Sequence, residues 1–209
     1  MSKIRNNAFR RNTEKYDEWF ERNLYAYESE LLLLQSLNMH GRMIEIGVGT
    51  GKFAFPLGIK LGVEPTEQMY KKAVELGIDT ICAVAENLPL RSDTFDWVLM
   101  VTTICFVNDP QRACDEMFRI LNKGGHIAVA FVDKNTDLGA KYLAKKSESV
   151  FYQEAEFYST EDIIRIMKKA GFTDIRTYQT LTDSSLSYAE QPSEGYGKGG
   201  FAAVTGMKP

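Results

Sequence analysis

The segment Glu45-Ile46-Gly47-Val48-Gly49-Thr50-Gly51 follows a short apolar run and sets an acid and three glycines at alternate positions. Glycines so placed let the chain turn sharply and bring its backbone within reach of a ligand that a Cβ would hold away. A dinucleotide site needs Gly-x-Gly-x-x-Gly, whose third glycine allows close helix–strand packing. Counted from Gly47, that third position is Lys52. Counted from Gly49, it is Ala54, with Lys52 at the second glycine's place. The spacing present is therefore acid-x-Gly-x-Gly-x-Gly. A second acid, Glu64 in Gly62-Val63-Glu64-Pro65, ends the next apolar run. A carboxylate at a strand end can accept hydrogen bonds from both hydroxyls of a ribose, which points to an adenosine without choosing the chemistry done on it.

Other chemistries lack their residues. Cys82, Cys105 and Cys114 form no Cys-x-x-Cys pair, and His40 and His126 stand apart from acids at ligand spacing, so no metal site is expected. Cys105 lacks the Pro-Cys context of a nucleophile that attacks a pyrimidine carbon and reads as a buried thiol. The run Val101-Thr102-Thr103-Ile104 excludes the Asn/Asp-Pro-Pro-Tyr/Phe signature of adenine amino methylation. A net charge of −3 argues against a nucleic-acid partner, and Lys141, Lys145 and Lys146 read as a solvated helix face. No apolar run approaches the ~20 residues of a membrane span. The first residues lack a secretory apolar core, so a cytoplasmic protein without a membrane partner is expected.

The elements that must position these residues alternate between strand and helix, which implies a mostly parallel sheet. One helix is expected over 5–37, with an apolar and aromatic face through Phe9, Tyr16, Trp19, Phe20 and Leu24 to Leu34. Strands follow at Met43–Ile46, Lys60–Val63, Thr80–Val84, Asp96–Val101, His126–Phe131, Asp174–Leu181 and Phe201–Thr205. Helices follow at Glu67–Leu76 and Pro110–Leu121, and a further one opens at Thr160 behind a Ser159 or Thr160 cap and ends at Gly171. A short helix after Lys52 is cut off by Pro56 and Gly58. Residues 133–158 should hold one helix with flanking loops. At 209 residues the chain fits one domain, divided into a leader helix or lid (1–40), a cofactor-binding half (41–131) and an acceptor-side half (132–209).

The glycine spacing, with Ala85-Glu86-Asn87-Leu88-Pro89-Leu90 and Phe95-Asp96 beyond it, resembles the class I S-adenosylmethionine-dependent methyltransferases. Within them it is similar to the small-molecule branch called type 11. The turn Leu121-Asn122-Lys123-Gly124-Gly125 is similar to that family's L-x-P-G-G, with Lys123 in place of proline. Specific resemblance covers residues 41–131. It implies a Rossmann-like, doubly wound α/β fold of seven strands with an antiparallel last strand and helices on both faces. It implies S-adenosylmethionine as cofactor, held by Glu45, Gly47, Gly49, Gly51, Glu64, Pro65, Ala85, Glu86, Asn87, Leu88 and Thr102. Val84 stands where many relatives carry Asp, which leaves the adenine to Glu86, Asn87 or backbone amides.

The implied reaction is in-line displacement at a sulfonium carbon, with a small molecule as acceptor. It depends on alignment and exclusion of water and requires no metal or covalent enzyme intermediate. Ligands of such sheets lie beyond the strands' carboxyl ends. The leader helix, 133–158 and 182–199 are therefore expected to close over the acceptor, with Tyr16, Trp19, Tyr25, Tyr152, Tyr188 and Tyr196 as candidate lid aromatics and no residue singled out as catalytic. Two other readings compete: a non-catalytic S-adenosylmethionine-binding regulator, and a nicotinamide-dependent oxidoreductase that the missing third glycine disfavours.

Overall fold

The computed structural model describes residues 7–183 and 185–209. Parts of two expectations, residues 1–6 of the 1–40 leader and Ser184 of the 182–199 connection, fall outside them. The sheet comprises β1 (Met43–Ile46), β2 (Leu61–Val63), β3 (Asp79–Ile81), β4 (Phe95–Val101), β5 (Leu121–Val132), β6 (Thr173–Thr180), β7 (Ser193–Glu194) and β8 (Phe201–Met207), in the order β3-β2-β1-β4-β5-β8-β6-β7. Strands β3 to β5 in that order pair in parallel, and β8 runs antiparallel between β5 and β6. This is the expected Rossmann-like fold, to which the two-residue β7 adds an eighth, edge strand through Tyr178 and Gln179.

Alternation along the central strands builds two cores. Val98 and Met100 of β4 with Ile127, Val129 and Phe131 of β5 face α5 (Pro110–Ile120) and α7 (Thr160–Ala170). Trp97, Leu99, Val101, Ala128 and Ala130 face the other side, where Leu33 and Leu34 of α3 (Leu24–Ser36) and Ala73 of α4 (Glu67–Glu75) cover them. Strands apolar on both sides of the pleat are what a sheet covered on both faces requires.

The leader divides into α1 (Asn7–Arg11), α2 (Thr13–Arg22) and α3. The breaks fall at Asn12 and Asn23, whose side-chain amides donate to the carbonyls of Ala8 and Trp19 at 2.9 and 2.8 Å. Such local bonds compete with the helical ladder and let the chain leave it. Residues 51–58 form consecutive turns where a short helix was expected, because Pro56 has no N–H and Gly58 sits at φ +71°. Residues 133–158 hold α6 (Asp137–Ala144) and one tight turn at Lys146–Glu148. Buried Asp133 fixes the start of this segment. One carboxylate oxygen accepts from the backbone and hydroxyl of Thr160, the other from the amide of Asn135. Helix α7 opens with a Ser159–Asp162 capping box and closes at left-handed Gly171.

Candidate active site

The glycine loop leaves β1 with both Gly47 and Val48 donating to the carbonyl of Val63, at 2.7 and 3.0 Å. The loop thereby lies across the end of β2, where Glu64 meets it. One Glu64 oxygen accepts the amide of Gly49 at 3.1 Å and the other the amide of Thr66 at 2.8 Å. The carboxylate is buried, and burial raises its pKa while the Thr66 and Gly49 bonds oppose that shift. Gly47 sits at φ +79°, and a Cβ there would lie 2.3 Å from the Thr103 side chain, whose hydroxyl reaches the Gly47 carbonyl. Glycine is demanded here by both conformation and space.

Thr102, at the carboxyl end of β4, adopts φ +47° and holds its amide on Ala130. A non-glycine residue in the left-handed region marks a place where the surroundings override local preference. Beyond β3, the carboxylate of Glu86 accepts the amides of Asn108 and Asp109 and so ties the two loops that leave β3 and β4.

These loops form one wall of a cavity of about 220 Å³, built by Gly47, Gly49, Glu64, Pro65, the 83–86 segment and Thr102. The opposite wall is aromatic. It is formed by Phe9 of α1, Tyr16, Trp19 and Phe20 of α2, Phe106, Tyr142 of α6, and Phe151 and Tyr152. The rings interlock edge to face, with centroids 4.7 Å apart for Phe9–Phe106, 5.1 Å for Tyr16–Phe20 and 5.2 Å for Tyr142–Tyr152. A single acid, Glu30 of α3, opens into this wall with 4% of its surface exposed.

Asp17 holds α2 onto the opposite wall. It accepts the hydroxyl of Thr50 at 2.7 Å and the Lys72 ammonium of α4 at 2.8 Å. The Tyr27 hydroxyl adds a bond to the carbonyl of Lys52.

The methyltransferase-domain family matches residues 44–129, the stretch that carries the glycine loop, Glu64 and the 85–90 segment. An uncharacterized protein of Methanocaldococcus jannaschii is 38% identical over 97% of this chain and 99% of its own length. A crystal structure of an S-adenosylmethionine-dependent methyltransferase from Thermotoga maritima, named a possible histamine N-methyltransferase, superposes with a TM-score of 0.95. It is 47% identical, covering 98% of this chain and all of its own. The chain belongs to the S-adenosylmethionine-dependent methyltransferases. A malonyl-[acyl-carrier protein] O-methyltransferase of Geobacter sulfurreducens, 28% identical over 84% of this chain and 72% of its own, is a more distant relative. The protein is an enzyme of this family, and its cofactor is S-adenosylmethionine.

For this methyltransferase, the residues read from sequence fall in two groups. Gly47, Gly49, Glu64, Pro65, Ala85, Glu86 and Thr102 line the cavity. Glu45, Gly51, Asn87 and Leu88 stand behind it. Glu45 is buried under the loop, and one of its oxygens has no hydrogen-bond partner among the described residues. Burial, with the Ala54 amide opposing it, pushes its pKa well up. The left-handed Gly51 packs toward Ile78. The Leu88 amide is bound by Glu116, and the Asn87 amide turns back to Val84. Of the lid candidates, Tyr16, Trp19 and Tyr152 line the cavity, whereas Tyr25, Tyr188 and Tyr196 are exposed outside it. No described residue of 182–199 reaches the cavity; Glu190 there accepts from Thr182 and Asp183, and its own amide donates to Ser29.

Cys105 is buried, with its thiol on the Thr102 carbonyl, and burial pushes its pKa up to about 12. It stays protonated and is no nucleophile. Sequence reasoning missed Glu30, Phe106 and Tyr142. For Glu30 a signal existed, because it falls with Ala26, Leu33 and Leu34 on one helical stripe, an acid where an apolar residue was due.

Proposed function

We propose that the protein transfers a methyl group from S-adenosylmethionine to a small molecule bound against the aromatic wall. The observation that supports this is the juxtaposition, within one cavity, of the Glu64–glycine-loop wall and the closed aromatic wall. The residues fit the cofactor. Glu64 uses one backbone amide on each oxygen, which leaves lone pairs for the two ribose hydroxyls. Gly47 and Gly49 leave the backbone bare beside it, while Glu45 lies buried behind the loop. Ala85 and Glu86 border the space for the base; since the Glu86 carboxylate already serves Asn108 and Asp109, backbone groups of 84–86 are left to read the adenine.

The bound cofactor supplies an electrophilic methyl carbon on a positively charged sulfur. This chain's contribution is to hold the acceptor in line and keep water out, the role we assign to α1–α3 and to residues 133–158. No helix among the described residues is long and apolar enough to cross a membrane.

The test is calorimetric binding of S-adenosylhomocysteine, followed by incubation with methyl-labelled cofactor and a cell extract separated by size. Label recovered in the low-molecular-weight fraction is the expected result. Label only in protein or nucleic acid would overturn the small-molecule acceptor, and tight binding with no transfer would favour the non-catalytic reading.

A further inference from the structure

Helix α3 buries an acid that no contact within the protein accounts for. Glu30 is 96% removed from solvent and lines the cavity; among the described residues no hydrogen-bond donor or cation is placed on it. A buried carboxyl without a partner is costly, and it stands on the buried face of α3 with Ala26, Leu33 and Leu34. It shares the cavity lining with a cluster of aromatic rings. Tyr142 and Tyr152 meet at 74° with centroids 5.2 Å apart, Phe106 stacks on Tyr152 at 6.2 Å, and Trp19 lines the same wall. Aromatic faces attract cations through the ring quadrupole, most strongly where water is excluded. An acid set among such faces is complementary to one kind of group, an ammonium on a small apolar body.

We infer that Glu30 and these rings form the seat of an amine acceptor, with Glu30 taking the proton that the nitrogen must lose before it is methylated. The inference rests on the methyl-transfer reading above and names its acceptor class. An ammonium has no lone pair, so it first gives one proton to the Glu30 carboxylate. The nitrogen–carbon bond then forms as the carbon–sulfur bond breaks, and sulfur keeps that bond's electron pair. The product is an N-methylammonium, and the Glu30 proton passes to solvent, one per turnover.

The protonation state agrees with this task. Burial alone pushes the Glu30 pKa up to about 8. The titratable groups coupled to it are Tyr27 on its own helix, Tyr16 of α2, Tyr142 of α6 and Tyr152. Burial raises all four above an ordinary phenol, so they stay neutral through pH 6–9 and Glu30 is the member of this group that changes charge; Glu45 and Glu64, which burial also raises, belong to the glycine-loop wall and are not coupled to Glu30. Below its pKa the free carboxyl holds a proton that an arriving ammonium must displace.

The experiment is calorimetry with 2-phenylethylamine, benzylamine and butylamine, each paired with the alcohol of the same shape. The protein is used both free and saturated with S-adenosylhomocysteine, in two buffers of different ionisation enthalpy. At least one amine should bind at least tenfold more tightly than its alcohol, releasing roughly one proton at pH 7. Its affinity should rise about tenfold from pH 6 to 7 and level off above pH 8. Glu30→Gln should lose at least tenfold of the amine affinity and the proton release, leaving alcohol affinity unchanged. The inference is overturned if no amine outbinds its alcohol, if binding releases no proton, or if Glu30→Gln retains amine affinity within twofold. The amine-over-alcohol preference and the proton release are read together on the unaltered protein, so the absence of either overturns the inference even if the variant does not fold. Failure to bind S-adenosylhomocysteine would count against the methyl-transfer reading alone, because the amine titrations of the free protein stand independently.

Discussion

Replacing Glu64 by Ala removes an acceptor from two backbone amides at once, those of Gly49 and Thr66. A hydrogen bond to a charged group contributes about 1.5–3 kcal/mol. Because the vacated space opens into the cavity and admits water, the low end applies to each, about 3 kcal/mol for the pair. For a domain of this size, where each kcal/mol shifts the midpoint by about 2–4 °C, the variant should melt roughly 6–12 °C lower. Cofactor affinity should fall separately by about 1–3 kcal/mol, or about 5- to 150-fold, through loss of the ribose contacts. Glu64→Gln sharpens the test. Its single oxygen can satisfy one amide, but its NH₂ turns a donor toward the other, so it should recover less than half of the stability. Thermal unfolding and calorimetric titration with S-adenosylhomocysteine read the two effects apart. Lower stability with unchanged affinity would mean that Glu64 only braces the loop. A variant that melts within 2 °C of the parent and binds within twofold would refute the geometry from which both numbers come.

Three further outcomes follow from the geometry. Glu30 holds a proton in the fold between its unfolded pKa near 4.5 and its folded value of about 8, so stability falls as pH rises through that window, by about 1.4 kcal/mol per unit. Relative to the parent, Glu30→Gln should therefore gain stability steadily from pH 5 to 8 and no further above it; parallel denaturation curves at all pH values would contradict this. Gly47→Ala should cost several kcal/mol, because its Cβ meets Thr103 at 2.3 Å, whereas Gly58→Ala, at a similar positive φ with nothing within 4 Å, should cost about 1 kcal/mol; equal denaturation midpoints would show that the Thr103 contact yields freely. Asp17→Asn loses its charge on Lys72 and weakens the bond from Thr50, about 1 kcal/mol for a partly exposed pair. Amide exchange across α2 should then quicken about fivefold, and unchanged exchange would place the hold on α2 elsewhere.

The Glu64–glycine-loop wall of the cavity was legible in the sequence because its parts are local. Glycines at alternate positions and an acid at a strand end each report a backbone requirement within a few residues. Strands β4 and β5 were equally clear, since a sheet covered on both faces writes apolar runs such as Trp97–Val101 and Ile127–Val132. The leader was read as one helix because its apolar face runs on past Asn12 and Asn23 with no Gly or Pro to end it; their side-chain bonds back to the preceding turn end α1 and α2. The aromatic wall was half visible. Tyr16 and Trp19 stood out on a periodic face, but Phe106 and Tyr142 come from separate segments that meet only through the sheet's crossovers. Tyr188 and Tyr196 misled for the converse reason, as composition made the 182–199 connection look like a lid while the β6–β8 pairing carries it to α3. Glu30 was concealed by reading the leader for its apolar residues and passing over the one acid on the buried stripe.

Asp17 joins helix α2 to the glycine loop, and on the proposed reading this has a kinetic consequence. Helix α2 carries Tyr16, Trp19 and Phe20 over the cavity and is tied through Asp17 to Thr50 and, across it, to Lys72. If α2 caps the acceptor as proposed, lifting it to admit one would loosen the glycine loop's outer brace, and releasing the spent thioether would disturb the aromatic wall. The two ligands thus share one door. Catalysis should proceed through a ternary complex assembled in sequence, in which the last partner to enter closes the latch and the opening of that latch sets the pace of release.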